Sequence, residues 1–261
     1  MKGFFIRFSG ELQTELLLSV RYWLESVALW TGFILAFVGL FFGVHLIGGG
    51  VADWGQEAAI RYTVWVLCLM AIIGLPQRIQ EEAMTGVLEQ RFLAPKGGIA
   101  SLAMSAIGRL LFWLVGTTLI FFALLGITRT PLYFDWTAVL VAVLILIGAQ
   151  GVGFFLGGLA LLFKRIQAVT QLLQMVLLGV AMLPADRLPD FWQGVVQTLP
   201  LAAGLPVLND ILLGRVDFLT VVGRADFYAL VLSSGVYLVV GLVSLRWAIY
   251  RARSRGLLAQ Y

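Results

Sequence analysis

The chain has 261 residues, 61% of them hydrophobic and 12% charged, with a formal net charge of +4 and a mean hydropathy of +0.96. That balance leaves too little polar surface to coat a soluble globule of this length, so the sequence predicts an all-α integral membrane protein with a single transmembrane domain over residues 1–261. One cysteine, Cys68, excludes an internal disulfide, and one cysteine with one histidine leaves no recognisable metal site.

Residues 1–25 open the chain without the layout of a cleavable signal, because polar residues from Ser9 to Glu15 follow the first apolar residues at once. Leu12, Leu16, Leu17, Val20, Trp23 and Leu24 form an apolar stripe opposite Glu11, Thr14, Glu15, Arg21 and Glu25. This pattern predicts an interfacial helix lying along the inner leaflet.

A charge at the bilayer centre is costly, so spans are read from charge-free gaps. Six gaps qualify: Ser26–Ala52, Tyr62–Gln77, Leu110–Thr128, Trp136–Phe163, Ile166–Ala185 and Phe227–Leu245. The second is short unless Arg61 snorkels at its outer end. Trp30, Trp54, Trp136 and Trp247 fall near span ends, where an aromatic belt is expected. His45, near the outer end of the first span, reads as a hydrated interfacial side chain. Gly39 with Gly43, and Gly153 with Gly157, are G-x-x-x-G pairs that permit close helix contact.

Between spans 2 and 3, Met84, Val87, Leu88 and Phe92 recur at helical spacing while Glu82, Thr85, Glu89 and Gln90 fall away from that face. The spacing predicts a short amphipathic helix over 81–95, closed by Pro95. It has two readings from the residues alone: a helix resting on lipid, or one docking into a partner.

In the fifth span Gln167, Thr170, Gln171 and Gln174 share a face. Amides in lipid need partners, supplied by a neighbouring helix, a polar pathway or a dimer seam. The segment 186–226 is expected outside; its uncharged, proline-broken stretch around Pro200 and Pro206 predicts short helices dipping into the membrane from that side rather than a seventh span. With six spans both termini are cytoplasmic, and inner segments then hold 13 Lys or Arg against 5 on outer ones, as the positive-inside rule asks.

The stretch 82–95 resembles the helix between the second and third spans of ABC transporter permeases of the type-2 exporter family, whose pattern runs Glu-x-x-x-Gly-Thr-Leu-Glu-x-Leu-x-x-x-Pro. Glu82, Gly86, Leu88, Glu89 and Pro95 match it, while Val87 stands where Thr is usual, Arg91 where Leu is usual, and Met84 where an acidic residue is common. Leu188-Pro189 followed by Pro200-Leu201 is similar to the outer helices before the family's last span.

The resemblance implies a permease subunit in a bacterial cytoplasmic membrane, paired with a second copy as a homodimer and driven by two copies of an ABC ATP-binding subunit that carry the ATP and Mg. The cargo would be exported and amphipathic or apolar: a lipid, a lipid-linked glycan or a drug-like molecule. Residues 81–95 would then be a coupling helix, with Glu82, Met84, Gly86, Val87, Leu88, Glu89, Phe92 and Pro95 as its partner-binding positions.

The three lysines, Lys2, Lys96 and Lys164, follow no phosphate-cradling glycine loop, so this chain is expected to bind no ATP in that manner and to be no enzyme itself. A gradient-driven transporter or channel is the rival reading, and it would call for intramembrane charge or matched broken helices. No nucleic-acid partner is expected.

Overall fold

The computed structural model describes residues 10, 13, 17, 20, 21, 23–48, 54–88, 92, 99–128, 133, 135–163, 166–182, 189–216 and 218–254. Among the described residues all regular structure is helical. The elements are α1 (Trp23–Gly48), α2 (Trp54–Met84), α3 (Ile99–Thr128), α4 (Trp136–Leu162), α5 (Gln167–Met182), α6 (Asp190–Gln197), α7 (Pro200–Leu212), α8 (Phe218–Val222) and α9 (Ala225–Ser254).

Among the described residues four stretches are long and apolar enough to cross a bilayer: Glu57–Met84, Ser101–Gly126, Trp136–Leu162 and Ala225–Ser254. The fifth expected span, α5, is only 16 residues long. Of the expected interfacial helix, Gly10, Gln13, Leu17, Val20 and Arg21 are helical, and Leu17, Val20, Trp23 and Leu24 lie exposed. Leu12 and Leu16 lie outside the described residues.

α2 is the axis of the bundle. An apolar 18-residue window of its spanning stretch is 83% buried, against 22% for the corresponding windows of α3 and α9. It also overruns the charge-free gap at both ends, because the charges that bound that gap are paired within the helix. Glu57 holds Arg61 at 3.2 Å and Glu82 holds Arg78 at 2.7 Å, both at i,i+4 spacing. α3 likewise begins before Leu110, since Arg109 is received by the Gly74 carbonyl at 3.3 Å and by Glu81 at 3.2 Å.

Lipid tails are as apolar as leucine, so helices in a bilayer gain association energy from close packing rather than from leaving water. α4 supplies that packing through glycines on two sides. Gly153 and Gly157 face α2, where an added Cβ would stand 2.6 Å from the Ala71 carbonyl oxygen and 2.7 Å from Leu75 Cδ2. Gly151 meets the α9 backbone at Tyr237 and Leu238, Gly241 of α9 meets Gly151 in return, and Gly158 rests on Leu245 and Ala248. By contrast nothing among the described residues lies close to Gly39 or Gly43, so among these residues close packing is seen at the Gly153–Gly157 pair and not at the other.

α1 packs by aromatic contact. Trp30 lies 4.8 Å from Trp113 between ring centres, Phe37 lies 5.2 Å from Tyr62, and the Tyr62 hydroxyl donates to the Phe33 carbonyl at 2.8 Å. Gly116 opens the notch that receives Trp30, so this tryptophan belongs to a helix contact and not to the expected interfacial belt. Trp136 and Trp247 are exposed near helix ends, as a belt requires, and the Trp54 side chain lies outside the described residues.

Candidate coupling and transport site

At the end of α2 that carries Glu82, the helix stops at Met84 and turns through Thr85 and Gly86. The Gly86 amide donates to the Ala83 carbonyl at 3.3 Å, and its φ of 73° is a left-handed conformation that side chains disfavour. The expected amphipathic face is therefore divided. Residues 81–84 continue the axis of α2, and the glycine turn redirects the chain beyond it.

The division sorts the candidate residues. Met84 is 80% exposed and Val87 44%, while Leu88 and Phe92 are buried in a cluster with Ile79, Leu102, Phe154, Leu161, Leu245 and Ile249. Arg253 of α9 stands 5.3 Å above the Phe92 ring, a cation–π contact that fastens the segment to the last helix. Glu82 is buried and engaged with Arg78, which places it in the fold's own ion pairing. Thr85 donates its hydroxyl to the Glu81 carbonyl at 3.0 Å and so reinforces the turn. Glu89, Gln90, Arg91 and Pro95 lie outside the described residues.

The polar face of α5 is a separate feature. Gln167 and Gln171 are exposed, Thr170 and Gln174 are half-buried, and the Thr170 hydroxyl donates to the Gln167 carbonyl at 2.8 Å. These four residues are brought together on one helix and lie far along the chain from the α2 turn. Charge-gap reasoning passed over Gln150, in the middle of α4, which is 6% exposed and has no hydrogen-bond partner for either side-chain amide atom among the described residues. Its signal was available, since it is the one amide in that span.

Between α5 and α9 the chain inserts a helix into the bundle. Pro200, at the first turn of α7, is pre-set for helix initiation and packs on Gly148, halfway along α4. From there α7 runs back along Ile145, which occupies the notch at Gly204, to Leu212, whose carbonyl accepts from the Tyr133 amide at 3.0 Å. Gly214, at φ 67°, closes the helix and lets the chain turn against Tyr133. The mid-depth end of α7 also borders an apolar cavity of about 40 Å³, lined by Cys68 and Ile72 of α2, Ala149 and Val152 of α4, Leu173 and Leu177 of α5, and Leu199, Pro200 and Leu201.

The other end of α7 is held by charge. Asp210 receives Arg224 at 2.6 Å and lies 3.7 Å from Arg215, and Arg215 reaches Glu57 of α2 at 2.9 Å. Arg61, the other partner of Glu57, donates to the Ala181 carbonyl of α5 at 3.5 Å. The hydrogen bond that the Arg224 guanidinium donates to Asp210, ahead of the opposing effect of burial, pushes that guanidinium above its ordinary range, so it stays charged throughout the physiological window. Helical periodicity gave no hint of this chain of charges, which depends on contacts between distant segments.

Among the described residues no group of histidine, cysteine and carboxylate side chains is placed to hold a metal. A search of curated proteins finds no match. The model of the ABC-2 family transporter protein matches residues 28–256, a stretch that includes the α2 turn, the inserted helix and every helix from α2 to α9. The match covers well over half of the chain, which therefore belongs to the ABC-2 transporter family and is the membrane component of an ABC transporter.

Proposed function

We propose that the chain is the membrane-spanning half of an ATP-driven exporter, working as a homodimer above two ATP-binding subunits and moving an amphipathic or apolar substrate outward. Membership of the family supplies the need for an ATP-binding partner. The observation that carries the site assignment is the exposed apolar pair Met84 and Val87 at the α2 turn, next to Leu88 and Phe92, which are anchored in the bundle. A segment that shows apolar side chains on one side and is bolted to α9 on the other can transmit a push rather than yield to it.

The orientation follows from charge asymmetry: the α2 turn and both termini face the cytoplasm, and the Glu57 end faces outward. In that frame α7 is a re-entrant helix entering from outside, tolerated because neighbouring helices cover its backbone. The membrane is that of a bacterial cell, with α1 and α5 completing six crossings. Single cysteines at Gln90 and Gln193, in a Cys68→Ala background, label from opposite sides under this reading; labelling of both from one side overturns it.

The coupling assignment is tested by Met84→Asp with Val87→Asp. Interface anchors of this kind are worth about 1–2 kcal/mol each, so the double variant should lose ATP-binding subunit on co-purification by more than about tenfold while keeping its level in the membrane. Wild-type co-purification with wild-type stimulation of ATP hydrolysis would reject the α2 turn as the docking point.

A further inference from the structure

The packing around α7 is uneven. Toward α4 it is tight: Pro200 fills the space beside Gly148, and Ile145 fills the space beside Gly204. Toward α2 and α5 the helix makes fewer close approaches than toward α4 and α9, and at its mid-depth end an apolar cavity of about 40 Å³ lies among Leu199, Pro200 and Leu201, Cys68 and Ile72 of α2, Leu173 and Leu177 of α5, and Ala149 and Val152 of α4. A void contributes no dispersion contact, so the seam between α7 and the α2–α5 pair is the weakest plane around the inserted helix.

An ion pair crosses that seam at the outer end, beside apolar contacts between α7 and α2. Glu57 binds Arg215 at 2.9 Å across it, whereas the 2.6 Å pair of Asp210 with Arg224 ties α7 to the start of α9 on the tight side. Arg215 is half exposed, and exposed ion pairs are weak enough to exchange for water without a large barrier. The contact that crosses the seam is thus a separable one.

We propose that the Glu57–Arg215 pair is a latch that holds α7 closed over the apolar seam leading down to Cys68, and that its release opens the seam to water. It rests on the exporter reading only for its purpose: an exit toward the outside that stays shut until the subunit is driven. The partner chemistry is internal, a carboxylate of α2 with a guanidinium just after α7, so the proposal concerns this chain alone.

Cys68 is a natural reporter, being 1% exposed and the only cysteine. The full chain in lipid nanodiscs is treated with a charged methanethiosulfonate reagent, and the rate of Cys68 modification is followed by mass. Neither an ATP-binding subunit nor an assumed orientation enters this measurement, so its failure is distinguishable from failure of the exporter reading.

Arg215→Glu replaces two attractions, to Glu57 and Asp210, with two repulsions, and should speed labelling by about tenfold. The exchange Glu57→Arg with Arg215→Glu restores the attraction across the seam but leaves like charges at Arg61 and Asp210, so it should return the rate part of the way to wild type, which a merely misfolded Arg215→Glu chain would not permit. Arg224→Gln, on the tight side, should leave the rate slow. An unchanged rate in Arg215→Glu, equal acceleration by Arg224→Gln, or no recovery in the exchanged pair overturns the latch.

Discussion

Substituting Gly151 of α4 with alanine, beside the same change at Gly235 of α9, tests whether backbone contact between α4 and α9 holds the bundle. In a helix, glycine to alanine gains about 1 kcal/mol from propensity alone. Gly235 has open space around an added Cβ, so that gain should appear undiminished. At Gly151 the new methyl meets the Tyr237 carbonyl and the Leu238 nitrogen, which are backbone atoms that no rotamer change can move aside. Overpacking typically costs about 1–3 kcal/mol, and a contact with backbone belongs at the upper end. The net expectation is a loss of about 2 kcal/mol at Gly151 and a gain of up to about 1 kcal/mol at Gly235. Adding Gly241→Ala to Gly151→Ala should cost less than the sum of the two, since both glycines serve one contact. Titration of the purified protein from mild detergent into sodium dodecyl sulfate, followed by the fluorescence of its 8 tryptophans, reads the difference. Equal stability of Gly151→Ala and wild type, or shifts of the same sign at Gly151 and Gly235, would refute the packing argument.

Glu82→Ala should destabilise the fold by about 1.5–3 kcal/mol, because it removes the 2.7 Å charge-assisted hydrogen bond from the mostly buried Arg78; Glu82→Gln should cost less by keeping a hydrogen-bond acceptor, and the same unfolding titration measures both. Fully wild-type stability in Glu82→Ala would instead assign this carboxylate to a partner subunit. Replacing Gln167, Gln171 and Gln174 together with leucine should change dimer stability or substrate-stimulated ATP hydrolysis, since exposed amides on α5 require a polar neighbour within the membrane; crosslinking yield and hydrolysis rate that both match wild type would show the row to be idle.

Composition found the membrane class, and charge-free gaps found the approximate position of each long helix, because a charge-free apolar run admits few other structures. The gaps fell short wherever a charge was paired out of sight. Glu57, Arg61, Arg78 and Glu82 sit inside α2 and not at its borders, since each pair satisfies itself one turn apart. Arg109 extends α3 because a carbonyl and a carboxylate of α2 receive it. The α2 turn was legible in its residues but not in its geometry: Gly86 matches the family pattern, yet only its positive φ reveals that Leu88 and Phe92 point inward while Met84 and Val87 point out. The glycine pairs show the same boundary, for Gly153 and Gly157 touch α2 whereas Gly39 and Gly43 meet nothing close among the described residues, and no rule of spacing separates them.

Both ends of the proposed mechanism lie on one helix. α2 has 31 residues, which at helical rise makes a rod of about 46 Å, with Glu57 near its first turn and Met84 at its last. Because most of its spanning stretch is buried, α2 cannot shift without moving the side chains of α3, α4, α5 and α7 packed on it. Its one intrinsic weak point is Pro76, which removes a helical hydrogen bond to the Ile72 carbonyl. Gly153 of α4 packs against that same carbonyl, so the neighbour with the closest backbone contact sits at the place where α2 is softest. A displacement of the Met84 end is then divided at Pro76 between bending α2 and moving α4, and α4 is the helix on which α7 is seated through Gly148 and Ile145. Both routes end at the same seam, one through Glu57 and the other through Pro200.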